Sequence, residues 1–186
     1  MSKSHEIIEI LADVVKQTAV DCQITINGRT IDCPDINYTF GNAQYVKDKL
    51  DVMTQSARNN EMKFPLIALF CPFNERRNSP DCYTQAKVRV LIAHSSRKEW
   101  SNEQRLVSSF QNVLRPIYNR FLKALLEDGR FDFGYEEQIP HEYSENYSYG
   151  RYGAYTGTGE EVGEPIDAIN ISNLELKVKL PNCRRQ

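Results

Sequence analysis

The sequence predicts an α+β domain in which a mixed or mostly antiparallel sheet packs against a long helix. Three observations support this class. Strand patterns occur in clusters without regular β-α-β alternation, two pairs of them resemble hairpins, and the strongest helical pattern lies in the C-terminal half, over residues 101–126. A chain of 186 residues is long enough for one domain with a substantial core and short for two. We therefore expect a single domain over residues 1–186.

The N-terminal part predicts a helix, a hairpin and a second helix. Apolar residues recur at helical spacing after Ser4, a potential N-cap, which predicts a helix over about 4–17. Asn27-Gly28 is a strong signal for a two-residue hairpin turn, and it places Cys22 opposite Cys33 on one face. Asn42 is the predicted cap of a second, narrower helical stripe that ends near residues 59–60.

Two strands and a polar connection are predicted next. Residues 63–71 are apolar at nearly every position, as in a strand covered on both faces. Residues 86–94 alternate, with Lys87 and Arg89 on the side opposite to the apolar residues. The connection between them, residues 72–85, is long and charged, so we expect a projecting hairpin tip. The residues predicted to act at this tip are Phe73, Arg76, Arg77 and Tyr83.

The C-terminal half predicts a capped helix and a bent strand. Ser101 and Gln104 match a capping box, and one face of the following helix is apolar up to about residue 126, with a kink expected at Pro116. The last strand, residues 165–180, has apolar residues at odd positions and then at even positions. Side chains alternate strictly along a strand, so this change predicts a β-bulge near residues 172–173.

Residues 128–164 form the least regular stretch and predict a long extended arm. This stretch holds nine carboxylates and two arginines, a charge of about −7, whereas the rest of the chain holds 21 basic and 16 acidic residues, about +5. Tyrosine is enriched at interfaces. An acidic, tyrosine-rich arm beside a basic body favours docking on another copy of the chain. The predicted interface residues are Tyr135, Tyr143, Tyr147, Tyr149, Tyr152 and Tyr155.

A catalytic alternative depends on His94 and two cysteines. Cys71 or Cys82 would be the nucleophile and His94 its base, as in a small cytosolic hydrolase or transferase. The sequence offers neither a third orienting group nor a glycine-rich oxyanion turn, so we predict no enzyme and no catalytic residues. The three histidines are scattered and no CxxC pair occurs, so neither a metal site nor a cofactor is predicted.

The chain is also predicted to have no membrane segment. Its longest apolar run, residues 64–73, is well below the ~20 residues that span a bilayer. The first residues lack the pattern of a secretory signal, so we expect a protein made and kept in a cytoplasm. In a reducing cytosol, Cys22 and Cys33 are expected as small apolar residues rather than as a disulfide.

Several segments of the chain resemble a known protein family. The segments KFPLIALF, VRVLIAHSSRKEWSNEQR and IDAINISNLELKV, after an amphipathic N-terminal helix, are similar to the neck and tail-completion proteins of tailed bacteriophages. Among these, tail-terminator ring proteins of Bacteroidetes phages are most similar. The resemblance covers roughly residues 4–180 and depends on the order of elements rather than on invariant residues.

The resemblance implies a structural virion protein without enzymatic activity. Such a subunit forms a homo-oligomeric ring, usually a hexamer, that joins the tail tube to the head connector. It would be assembled in the host cytoplasm and located in the neck of the virion. Its partners would be other copies of the chain, the tail tube and the neck proteins, with DNA passing nearby without sequence reading. An adaptor or stopper of the neck is the alternative position.

Overall fold

The computed structural model describes residues 6–54, 64–78, 82–134, 138–151, 154–155, 161–162 and 165–180. Predictions about Ser4 and residues 59–60 lie outside these ranges. The elements, in chain order, are α1 (Ile7–Ala19), β1 (Gln23–Ile26), β2 (Arg29–Asp32), β3 (Asn37–Gly41), α2 (Ala43–Thr54), β4 (Leu66–Phe70), β5 (Glu75–Asn78), β6 (Tyr83–Ser95), α3 (Asn102–Arg105), a π-helical segment (Leu106–Leu114), α4 (Arg115–Glu127), β7 (Glu142–Arg151), β8 (Ala154–Tyr155), β9 (Glu161–Val162) and β10 (Pro165–Lys179).

A mixed sheet forms the centre of the fold, which confirms the predicted α+β class. Its strand order is β3-β4-β6-β10-β7, and β5 adds to β6 beside β4. The pairs of β6 with β4, β5 and β10 are antiparallel, as is β10 with β7, whereas β3 and β4 are parallel. β3 was not predicted because it is short and its partner β4 lies beyond α2. β3, α2 and β4 therefore form one β-α-β unit.

Helices cover the two faces of the sheet to different extents. On one face, α1 and the long helix formed by α3, the π-helical segment and α4 cover the main core, which includes the fully buried Phe110 and Phe121. On the other face, Val46 of α2 packs over a smaller cluster that includes Leu91 and Ile166. Strand β4 contributes to both cores, as its continuous apolar pattern predicted.

The predicted N-terminal hairpin is confirmed in its register. Ile26 pairs with Arg29 and Ile24 pairs with Ile31, while Asn27 and Gly28 have φ values of 52° and 76°, as this turn requires. These strands form their own two-stranded sheet. The preceding helix begins at Ile7, with Glu6 in an extended conformation at the N-cap and no side-chain cap. The prediction for Asn42 is confirmed, because its Oδ1 accepts from the Tyr45 amide at 2.7 Å.

The long helix begins at the predicted capping box. The Ser101 hydroxyl accepts from the Gln104 backbone N–H, and the Gln104 side-chain oxygen accepts from the Ser101 backbone N–H. The next nine residues, Leu106–Leu114, form wider π-helical turns, which the sequence analysis did not predict. The Arg115 amide donates to the Phe110 carbonyl, five residues back, and the α-helical pattern resumes where Pro116 lacks a donor.

Strand β10 contains the predicted bulge. Its register against β6 shifts between Ile171 and Leu174, and Asn173 has a φ of 52°. The shift places residues on both sides of the bulge in the main core, although they are odd-numbered before it and even-numbered after it. Among the described residues, no helix is long and apolar enough to cross a membrane.

Candidate interaction surfaces

The arm predicted over residues 128–164 belongs, as far as Arg151, to its own domain. β7 pairs with β10 from Ser172 back to Pro165. Before it, Phe131 bridges to Val178, and Ile139 is buried in the main core. The expectation of an extended arm is therefore wrong for this part. β7 pairs along its length with the apolar strand β10, and two of its tyrosines pack on the long helix. Its remaining side chains are polar, so its composition resembles that of a loop.

Tyr143, Tyr147 and Tyr149 pack against other residues of the same chain. The ring of Tyr147 packs on Phe110 with centroids 4.4 Å apart, and Tyr143 packs on Tyr118 at 4.9 Å. They remain 36% and 42% exposed, respectively. Tyr149 packs against the smaller cluster on the other face, after a register shift in β7. Tyr135 and Tyr152 lie outside the described residues, and Tyr155 lies in β8.

The Glu145 carboxylate holds β7 to the long helix. Arg115 donates from Nε and Nη2 to the two Glu145 oxygens at 2.7 and 3.1 Å, and the Tyr143 hydroxyl also donates to Glu145. The hydrogen bond from Arg115 lowers the pKa of Glu145, with burial opposing it. The acidic arm was expected to dock on the basic body of another copy. The structure forms that contact within one chain.

His141, just before β7, also contacts the long helix. His141 Nδ1 lies 2.6 Å from the Ile139 carbonyl, which only accepts, so this nitrogen carries the proton. The Tyr118 hydroxyl then donates to His141 Nε2, also at 2.6 Å. Nε2 therefore links the segment to α4 through Tyr118, and Nδ1 bonds within the segment, so both ring nitrogens have structural roles.

The predicted hairpin tip is partly a strand of the main sheet. β5 pairs with the start of β6, so residues 75–78 do not project as a loop. Arg77 binds Glu75 at 2.7 Å and Glu6 at 2.9 Å, which ties the strand to the start of α1. β5 was not predicted because both of its faces carry polar side chains. Phe73 packs beside the main core, while Tyr83 lies 4.0 Å from the Lys177 ammonium.

The fourth predicted tip residue, Arg76, borders a groove of about 1320 Å³. The groove lies on the sheet face that carries the smaller cluster, beyond the part covered by α2. Strand alternation places Lys87 and Arg89 on this face with Leu91, and the bulge in β10 places Glu175 and Lys177 there. Phe70 and Phe133 contribute aromatic surface to the walls. The polar side of β6 was predicted from its alternating pattern. The groove on that side, which no described helix covers, was not.

The charges in the groove are unevenly compensated. Its three carboxylates each contact a cation: Glu75 with Arg77, Asp132 with Lys177, and Glu175 with Lys87. Arg89 instead donates to the Asn170 amide oxygen at 2.7 Å and lies 4.6 Å from the Phe70 ring centre. Within the described ranges, Arg76 and Arg89 are the groove cations that contact no carboxylate. The surface therefore suits an acidic and aromatic partner.

The residues of the catalytic alternative are not brought together. His94 pairs with Asp167 at one end of β6, whereas Cys71 follows Phe70, which pairs with Arg89. Five residues of strand separate Arg89 from His94, roughly 17 Å. Burial lowers the pKa of His94 to about 4, and burial raises the pKa of Cys71. The third residue, Cys82, is disulfide-bonded.

The two hairpin cysteines face each other as predicted. The Cys33 amide donates to the Cys22 carbonyl at 2.7 Å, and both thiols are free. The neighbouring Cys33 thiol lowers the pKa of the Cys22 thiol. No group of three or more metal-ligating side chains occurs in the part of the chain that the structure describes.

Comparisons with known proteins add no family to these observations. No family model matches the chain. A search of curated proteins likewise finds no match.

Proposed function

We propose that the chain is a structural subunit of a tailed-phage neck that forms a ring and terminates the tail tube. The element order that resembles tail-terminator proteins supports this function. The groove on the sheet face is the structural observation that supports an assembly role. Its volume of about 1320 Å³ exceeds the ~300–1,000 Å³ typical of small-molecule sites, and its charged, aromatic walls suit a polypeptide segment. The terminator joins the tail tube to the head connector without catalysing a reaction.

The proposed subunit assembles through surfaces other than the tyrosines of β7. Those tyrosines contact Phe110 and Tyr118 of the same chain. The groove is instead open on the surface, and Arg76 and Arg89 supply charge that a partner can match. An arrangement of identical subunits in a ring requires two different surfaces on each subunit, one to donate and one to accept.

Purified protein tests the assembly directly. Size-exclusion chromatography with light scattering should give one species of several subunits, and negative-stain images should show rings with a central channel. Antibodies against the chain should then label virions at the junction of head and tail. A compact monomer or dimer, or labelling elsewhere in the virion, would contradict the proposal.

A second experiment separates the terminator from the alternative neck positions. The purified ring is mixed with isolated tail tubes and, separately, with isolated head connectors. A terminator caps the end of the tube. Binding to connectors alone would instead support an adaptor or stopper.

A further inference from the structure

The groove and the β8–β9 ribbon lie toward opposite ends of the central strands. The ribbon is the short antiparallel pair in which Ala154 faces Val162, between the end of β7 and the start of β10. Pro165 at the start of β10 pairs with Arg151 beside the ribbon, whereas Glu175 lines the groove. Ten residues of strand separate Pro165 from Glu175, roughly 33 Å. One subunit therefore presents two separate surfaces along one axis.

The segment that contains the ribbon carries carboxylates that match the two groove cations without a carboxylate contact. Residues 152–164 include Glu160, Glu161 and Glu164 and no basic side chain. They also include two tyrosines. The groove offers Arg76 and Arg89 without a carboxylate contact in the described part of the chain, beside the ring of Phe70. An acidic, aromatic segment is complementary to these two arginines and the aromatic ring beside them.

The ribbon of a subunit is too short to occupy all of that subunit's own groove. From Arg151 to the middle of the segment, residue 158, the chain has seven residues and reaches at most about 25 Å. Arg76 pairs with Gln85, and Gln85 pairs with Lys177, twelve residues along β10 from Pro165. That separation is roughly 40 Å. A contact between the ribbon and Arg76 therefore needs a second copy.

We propose that the acidic segment 152–164 of one copy docks in the groove of the next, with its glutamates at Arg76 and Arg89. This inference rests on the proposed ring function and names the two surfaces that form the ring. The donor and acceptor surfaces differ, so the contact is heterologous and repeats from head to tail. Such a contact closes into a ring when the rotation between subunits permits it.

Donor and acceptor variants test the docking in the full-length chain. The donor variant carries Glu160→Gln, Glu161→Gln and Glu164→Gln, and the acceptor variant carries Arg76→Glu and Arg89→Glu. Each should be monomeric by size-exclusion chromatography with light scattering at concentrations more than about tenfold above those at which wild type assembles. Arg29→Glu, at an exposed cation on β2, is the matched control and should assemble as wild type.

Mixing the two variants gives the decisive result. The donor variant keeps an intact groove and the acceptor variant keeps an intact ribbon, so the mixture should form a complex of two subunits and no larger species. Unfolding midpoints close to wild type establish that both variants are folded. Combining Arg76→Glu and Arg89→Glu with Glu160→Lys, Glu161→Lys and Glu164→Lys in one chain should restore assembly.

The outcomes separate this inference from the function on which it rests. A wild-type chain that stays monomeric would contradict ring formation itself. A wild-type ring together with an acceptor variant that assembles equally well would overturn the docking and leave ring formation in place. A mixture that yields no two-subunit complex would also overturn the docking.

Discussion

Arg105 Nη1 donates to Asp167 Oδ1 at 2.9 Å, and both side chains are buried. The pair joins the first turn of the long helix to the start of β10, which are 62 residues apart in the chain. Arg105 also donates to the backbone carbonyls of Arg97 and Trp100, so the guanidinium fixes the connection that leads from β6 into the helix. This ion pair sets where the helix crosses the sheet.

Removing one partner of this pair should strongly destabilise the fold. Asp167→Ala leaves the Arg105 charge buried without its carboxylate, which typically costs about 3–5 kcal/mol. The double variant Arg105→Met with Asp167→Leu should lose less, because it leaves no buried charge. Urea unfolding of the three proteins measures the difference. An Asp167→Ala midpoint equal to that of wild type would show that the pair does not hold the helix in place.

The π-helical segment allows a matched test of core packing. Phe110 is fully buried and Val107 is 48% exposed in the same segment. Phe110→Ala should lower the free energy of unfolding by about 3–5 kcal/mol, whereas Val107→Ala should change it by less than about 1 kcal/mol. Chemical denaturation of both variants checks the contrast. Equal losses would mean that the helix presents a different face to the sheet.

The sequence predicts the elements whose signals are local. The Asn27-Gly28 turn, the Ser101 capping box and the bulge near Asn173 each depend on neighbouring residues, and each is found where expected. β3 was missed because it is short and its partner lies beyond α2, whereas β5 and β7 were missed because their polar side chains resemble those of loops. The π-helical segment has no distinctive residue pattern and was missed for that reason.

The candidate surfaces were predicted less well than the fold. Tyr143 and Tyr147 were predicted at an interface between copies of the chain, whereas in the structure their rings pack on Tyr118 and Phe110 of the same chain. Composition shows that a tyrosine needs a partner and does not show which chain supplies it. The groove brings Arg76, Arg89 and Glu175 together from three strands, so no local sequence window contains it.

The Glu145 carboxylate should make stability depend on pH on the acid side. Its folded pKa is lowered by Arg115, so its stabilising contribution is complete above the unfolded value, about 4.5, and is lost as pH falls through the lower folded value. Glu145→Gln should therefore reduce stability at pH 7 and flatten the decline below about pH 4.5.

Urea midpoints between pH 7 and pH 3 measure this dependence. Glu9→Gln, which removes one carboxylate from the exposed face of α1, is the matched control and should keep the wild-type profile. A Glu145→Gln profile that runs parallel to wild type over the whole range would contradict the assignment.

The last prediction distinguishes packing within the chain from packing between chains at Tyr147. Its ring lies 4.4 Å from that of Phe110, and its hydroxyl hydrogen-bonds to Glu145. Tyr147→Ala should lower the unfolding free energy of the monomer by about 2–4 kcal/mol, because about two-thirds of the side chain is withdrawn from water and an aromatic pair and a hydrogen bond are lost. Tyr147→Phe keeps the ring and should lose less, about 0.5–1.5 kcal/mol for the hydrogen bond. Both are measured by urea unfolding of the donor variant, which is monomeric under our proposal. If Tyr147→Ala leaves this monomer as stable as its parent and weakens only the assembled ring, then Tyr147 acts between subunits after all.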